Sequence, residues 1–124
     1  MFDIFDNNAI YLTQGNSASI EITPLNTISG DPYLLEDGDV MVFTVKNKTG
    51  QTVIQKFFTS ADLPDEGSSI VCDIIPQDTE SIPTGEYVYD VFIRFNDGDV
   101  VTFISSFFII SEAYGKRSDI VGTP

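Results

Sequence analysis

Two acidic pairs are the residues of this chain whose type and spacing are suited to ion chemistry. They are Asp37-Gly-Asp39 and Asp97-Gly-Asp99. Calcium prefers oxygen ligands, so each pair could supply two carboxylates to a calcium site. Asp-Gly is also the sequence that a tight turn requires, because glycine adopts a positive φ at little cost. Neither pair continues into the ligand spacing of an EF-hand loop, so we favour turns and keep calcium binding as the alternative.

Side chains for nucleophilic or acid–base catalysis are scarce. The chain has no histidine, which removes the commonest general base and the commonest metal ligand. Its one cysteine, Cys72, therefore has no imidazole to activate a thiolate. Cys72 alternates with Ile70 and Ile74 on an apolar face, so we expect it to be buried. We expect no enzymatic activity, no cofactor and no intramolecular disulfide.

The charge of the chain restricts its partners. Its 124 residues include 19 acidic and 6 basic side chains, which gives a net charge of −13 at pH 7. Such a surface repels phosphate, so we expect no binding to nucleic acid. The N-terminal residues lack the basic region of a signal peptide, and no apolar run reaches the roughly 20 residues that cross a bilayer. We therefore expect a protein that is made in the cytoplasm and has no membrane anchor.

The elements that must position these residues are β-strands. β-Branched and aromatic residues dominate the apolar positions, and no apolar stripe has helical spacing over three turns. Gly, Pro, Asn and Asp clusters separate short apolar segments, as turns do between strands. A helical turn within 77–85, capped by Asp78 or Thr79, and a kink or bulge at Ser105 and Ser106 are also predicted. The predicted strands are 10–13, 19–23, 40–46, 52–58, 69–75, 86–95 and 100–110.

The segment 78–95 indicates the fold class. A polar turn closed by Pro83 and Gly85 leads into a strand that carries Tyr87 and Tyr89 on one face. A tyrosine just after a turn, at the start of a late strand, is typical of the tyrosine corner of a β-sandwich. The opposite face of this strand is mixed and carries Glu86, Val88, Asp90, Phe92 and Arg94.

We therefore predict an all-β, antiparallel immunoglobulin-like sandwich of about seven strands. The sandwich is predicted to occupy residues 9–111. An N-terminal arm, residues 1–8, and a C-terminal arm, residues 112–124, are predicted to flank it.

The order of motifs resembles the immunoglobulin-like virion domains of tailed phages and prophages of Firmicutes. The most specific motif is the run Pro76-x-Asp78-Thr79, followed by Gly85-x-Tyr87-x-Tyr89-Asp90. Gln14-Gly15 precedes this run, and Asn96-Asp-Gly98 and Phe107-Phe-Ile-Ile110 follow it. The chain is similar in particular to the N-terminal domain of the phage baseplate upper protein, over roughly residues 9–111.

This resemblance implies a non-enzymatic structural protein of the virion with no catalytic residues. Such a protein would be an adaptor of the baseplate or tail, or a capsid decoration module, in contact with other virion proteins and with copies of itself. The alternative function is a calcium- or carbohydrate-binding β-sandwich module. Assembly arms would contact neighbouring subunits through their apolar residues, unless the arms pack on their own domain. The partner-facing residues predicted in this way are Phe2, Ile4, Phe5, Tyr114, Ile120 and Val121.

Overall fold

The computed structural model describes residues 2–4, 8–24, 33–62 and 69–113. Nearly all regular structure in these ranges is β-strand, as predicted. The strands are β1 Phe2–Ile4, β2 Ile10–Thr13, β3 Ala18–Ile22, β4 Val40–Lys46, β5 Thr52–Phe58, β6 Ile70–Ile74, β7 Gly85–Arg94 and β8 Val100–Ser111. Pro76–Glu80 form one short helix, α1, and Ser60–Asp62 form a 3₁₀ turn. No helix in these ranges has the length and apolarity that a bilayer crossing requires.

Two sheets form the sandwich. One has six strands in the order β1-β2-β8-β7-β4-β5, and the other consists of β3 and β6. Alternate residues of β3 and β6 are buried, as expected when one face of each strand packs on the facing sheet. The all-β sandwich predicted from the sequence is confirmed, and its larger sheet contains a β4–β5 hairpin and a β7–β8 hairpin.

The strand pairing differs from the prediction at two points. β2 runs parallel to β8, so the description of the sandwich as wholly antiparallel is wrong for this pair. The two strands are far apart in sequence, and no hairpin dictates their relative direction. β1, which lies within the predicted N-terminal arm, pairs antiparallel with β2 and brings the strands in the described ranges to eight.

The bulge also lies at a different place. Ser105 pairs with Asp90 and Ser106 pairs with Tyr89, so the prediction of a bulge at these serines is wrong. The register shift lies nearer the start of β8, where Phe103 is the additional residue between Thr102 and Ile104. Polar residues within an apolar strand mark exposed positions as well as breaks in a ladder, and sequence alone does not distinguish the two.

The core lies between the two sheets. Phe43 of β4, Tyr89 of β7 and Phe108 of β8 contact one another through their rings, with centroids 5.4 to 6.4 Å apart. Such edge-on and tilted contacts add to the free energy of burying aromatic surface. Cys72 faces this core and is fully buried, as predicted, and burial raises the pKa of its thiol to about 12. Its place in the fold is that of a small apolar side chain.

Candidate functional site

Asp39 is the most buried carboxylate in the described ranges, with 1% of its surface exposed. It lies just before β4 and accepts three hydrogen bonds. The Tyr33 hydroxyl and the Glu36 N–H donate to Oδ2, at 2.6 and 2.9 Å, and the Asn96 N–H donates to Oδ1 at 2.8 Å. The carboxylate therefore joins the segment before β4 to the turn between β7 and β8.

The hydrogen bonds of Asp39 determine its ionisation. Burial by itself raises the pKa of this carboxyl, but the hydrogen bonds from Tyr33, Glu36 and Asn96 outweigh that effect and lower it. The pKa of Tyr33 is raised, because the phenol is desolvated and donates its proton to a negative charge. Asp39 is thus held ionised by donors of its own chain.

The structure brings the two predicted acidic pairs to the same end of the sandwich, with Asn96 in contact with the first pair. Asn96 Nδ2 donates to the carbonyl oxygen of Asp37 at 3.2 Å. Gly38 has φ +90°, and a Cβ at this position would lie 2.9 Å from Cβ of Asn96. The close approach of the two turns therefore requires glycine.

The second pair forms a turn of the predicted kind. Asp97 Oδ1 accepts a hydrogen bond from the Asp99 N–H at 3.0 Å, and Gly98 has φ +96°. The described residues contain no group of three or more carboxylates or thiols placed to hold one metal ion. Turn formation therefore accounts for the geometry of both acidic pairs, and the calcium alternative gains no ligand cluster from the described part of the fold.

Asp78 and Thr79, in the first half of the motif that carries the phage resemblance, have structural roles. Asp78 Oδ2 accepts a hydrogen bond from the Ile75 N–H at 2.8 Å, which satisfies a donor at the start of α1. The same carboxylate oxygen lies 2.8 Å from Nζ of Lys56 on β5. Thr79 is fully buried, and its Oγ1 accepts a hydrogen bond from the Gly15 N–H at 2.8 Å. These contacts hold α1 between β5 and the turn that follows β2.

The tyrosines in the second half of the motif also hold strands in place. The Tyr87 hydroxyl donates to the carbonyl oxygen of Pro83 at 2.5 Å, which confirms the predicted tyrosine corner. The Tyr89 hydroxyl donates to the carbonyl oxygen of Asn8, also at 2.5 Å, and so ties β7 to the start of β2. Burial raises the pKa of Tyr89 to about 12. Both tyrosines belong to the core.

The predicted partner-facing residues lie mostly beyond the described part of the chain. Phe2 and Ile4 belong to β1, whose backbone pairs with Leu12 and Ile10 of β2 at the edge of the larger sheet. Part of the N-terminal arm is therefore a strand of its own domain. The remaining predicted residues, Phe5, Tyr114, Ile120 and Val121, lie outside the described residues.

One surface was not singled out by sequence reasoning, although the mixed face of β7 is visible in the alternation of that strand. On the side of the larger sheet that faces away from β3 and β6, Val88 of β7 lies directly opposite Phe107 of β8, and both are nearly half exposed. Ile109 lies opposite Glu86, in the next row. Asp90 follows Val88 on the same face, and its Oδ1 is buried without a hydrogen-bond partner among the described residues.

Comparison with known proteins adds little to this description. No protein-family model and no curated protein matches the chain. Among solved structures, the crystal structure of CopC from Methylosinus trichosporium OB3b is similar over 64% of this chain and 72% of that chain. The sequence identity is 18% and the TM-score is 0.40. A similarity at this level does not transfer a function.

Proposed function

We propose that this chain is a non-enzymatic structural protein of a phage virion, an adaptor or decoration module that acts through protein–protein contacts. One observation carries the proposal. The run from Pro76 to Asp90 resembles phage immunoglobulin-like domains, and in this fold its side chains make the hydrogen bonds that hold elements of the β-sandwich together. Because the residues of this motif hold the sandwich together, the motif supports the assignment of an immunoglobulin-like domain. The role of that domain is then an inference by analogy.

The use of the polar side chains supports a role in assembly rather than in chemistry. The carboxylates of Asp39 and Asp78 and the hydroxyls of Thr79, Tyr87 and Tyr89 all bind groups of their own chain. Groups committed to internal hydrogen bonds are poor candidates for binding a substrate, because each displaced bond leaves a buried group unsatisfied. Under this proposal, contacts with partners are made by the outer surfaces of the sheets and by the two arms.

The edges of the sandwich suit such contacts. β1 and β5 are the outermost strands of the larger sheet within the described ranges. An outermost strand presents backbone N–H and C=O groups to which an extended segment of another protein can add. In this proposal Phe2, Ile4 and Phe5 of the N-terminal arm and Tyr114, Ile120 and Val121 of the C-terminal arm face neighbouring subunits.

Quantitative mass spectrometry of virions tests the proposal. Virions of the phage that encodes this chain are purified through two successive density gradients. The copy number of the chain is then measured against the major capsid protein. We expect a fixed number of copies per particle that resists washing, with immunogold label at one structural region. An acidic host protein of similar size, measured in the same fractions, is the control for carry-over. A chain present only at the level of that control would refute the proposal.

A further inference from the structure

A mixed apolar and acidic surface lies on the outer face of the larger sheet. We call this surface the outer patch and define it as Glu86, Val88 and Asp90 of β7 with Phe107 and Ile109 of β8. Val88 and Phe107 form a directly opposed cross-strand pair, and 45% and 46% of their surfaces are exposed. A hollow of about 370 Å³ adjoins this pair. The patch is therefore an apolar centre with a carboxylate at each end of its β7 row.

The patch differs from the outer face of the smaller sheet. There, Val71 of β6 is 45% exposed, but its neighbours on the same face are polar. Ser19 donates a hydrogen bond to Asp73 at 2.7 Å, and Thr23 contacts Ser69 at 2.5 Å. Isolated exposed valines are common on soluble proteins, whereas adjacent apolar side chains mark sites of interaction.

The chemistry of the patch defines what would cover it. An occupant needs apolar side chains for the Val88–Phe107 centre and cations for Glu86 and Asp90. Asp90 is partly exposed, so a cation of the occupant can pair with the accessible side of its carboxylate. A charge-assisted hydrogen bond of this kind is stronger than one between neutral groups.

One segment of this chain has that composition. Residues 1–113 contain 18 acidic and 4 basic side chains, a net charge of −14, whereas residues 114–124 contain Lys116 and Arg117 against Asp119, a net charge of +1. The same segment carries Tyr114, Ile120 and Val121. The C-terminal segment thus has a positive net charge, and it combines adjacent cations with apolar residues.

We propose that the outer patch binds the C-terminal segment, residues 114–124, of a second copy of the chain. The inference rests on the proposed function, in which copies of the chain lie side by side in a virion. Eleven residues span up to about 36 Å when extended, which is enough to cross from one domain to a neighbour. Lys116 and Arg117 pair with Glu86 and Asp90, and the apolar residues of the segment cover Val88 and Phe107. Opposite charges at the contact offset the repulsion between two acidic domains.

The mass of the full-length protein, measured by sedimentation equilibrium over a range of concentrations, tests this contact. We expect the wild-type chain to self-associate and Val88→Glu to raise the dissociation constant by at least about tenfold, since a charged side chain then replaces the apolar centre that the apolar residues of the segment cover. Val71→Glu is the matched control, because Val71 is equally exposed on the other sheet. It should leave the dissociation constant unchanged.

A second variant leaves the described domain untouched. Lys116→Glu combined with Arg117→Glu should weaken self-association to a similar extent, since it reverses the charge of the segment. The Val88→Glu chain retains an intact segment, and the doubly substituted chain retains an intact patch. A mixture of the two variants should therefore form a heterodimer that neither forms alone. Circular dichroism melting curves establish that each variant is folded.

Three results of the association measurements would overturn the inference. They are a wild-type chain that stays monomeric at about millimolar concentration, equal weakening by Val71→Glu, and a mixture that forms no heterodimer. A monomer whose C-terminal segment crosslinks to its own patch would likewise exclude the second copy as the source. The copy number per virion tests the proposed function independently of this contact. A chain that is present in virions but monomeric in solution refutes this contact only. A chain that self-associates but is absent from virions refutes the proposed function only.

Discussion

Asp39 links the segment before β4 to the turn between β7 and β8. A nearly fully buried carboxylate is costly unless its oxygens are hydrogen-bonded, and here a phenol and two backbone N–H groups provide the donors. These donors come from residues 33, 36 and 96, so one side chain holds together segments that are distant in sequence. The adjacent glycine allows the two turns to approach closely enough for this contact.

Replacement of this carboxylate tests the role of this link. Asp39→Asn removes the charge and places an NH₂ group among donors, so we expect the free energy of unfolding to fall by about 2–3 kcal/mol at neutral pH. Urea denaturation followed by circular dichroism measures this change. Asp37→Asn is the control, since Asp37 is exposed and its carboxylate accepts a long hydrogen bond from the Ser60 hydroxyl, at 3.3 Å. Its cost should stay below about 0.5 kcal/mol.

The pH dependence follows from the lowered pKa of Asp39. The stabilisation by this carboxylate is complete above its ordinary pKa of 3.8 and is lost as the pH falls through the lower pKa of the folded state. The difference in stability between wild type and Asp39→Asn should therefore shrink in acid below about pH 4. A difference that stays constant down to about pH 2 would show that the charge of Asp39 makes no contribution.

At the scale of elements, the role of α1 is to connect other elements of the fold rather than to bind a ligand. It is one short turn of helix, and its residues contact both a strand of the larger sheet and the turn after β2. Gln14 adds to this contact, because its Nε2 donates to the carbonyl oxygen of Ile82 at 2.6 Å. Two pieces of the phage resemblance that are far apart in sequence, Gln14-Gly15 and Asp78-Thr79, therefore meet in the folded chain.

The hydrogen bond to the buried hydroxyl of Thr79 makes a contribution to stability that can be measured. Thr79→Val keeps the shape of the side chain but leaves the Gly15 N–H without its acceptor, so we expect a loss of about 1–3 kcal/mol in urea denaturation. Thr44→Val is the matched control, since Thr44 is also buried but binds the exposed amide of Gln55 at 3.2 Å. That amide can turn to water, so the control should cost about 1 kcal/mol or less. If both variants lost the same free energy of unfolding, the unsatisfied Gly15 N–H would not explain the effect of Thr79→Val.

At the scale of the whole molecule, the surface is strongly acidic around a core built without metal-ligating clusters in the described ranges. The repulsion that follows from this charge opposes the association of copies, and it weakens as salt screens it. A calcium-binding module would instead use its carboxylates in concert. The acidic turns in this fold use theirs to close the ends of hairpins and loops.

Thermal unfolding with added calcium distinguishes these two uses of acidic residues. We expect about 5 mM calcium chloride to change the melting temperature by no more than about 1 °C relative to sodium chloride of equal ionic strength. The sodium control matters because any salt screens the repulsion within an acidic chain. A rise of several degrees specific to calcium, which Asp97→Asn abolished, would support the calcium alternative in place of simple turns.

Local chemistry determined much of this protein. Alternation of apolar residues fixed the strands, glycine next to aspartate fixed the turns, and Tyr87 after Pro83 and Gly85 fixed the tyrosine corner, because each pattern depends on residues close together in sequence. The burial of Cys72 followed from the same alternation.

Only the tertiary structure decided which distant residues meet. The parallel pairing of β2 with β8, the position of the bulge at Phe103 and the adjacency of Val88 and Phe107 depend on register between strands, which sequence periodicity leaves open. The contacts of Asp39 with Tyr33 and Asn96 depend on which loops share an end of the sandwich. Asp39, which the sequence offered as a possible ligand, is a structural group because folding placed three donors of the same chain around it.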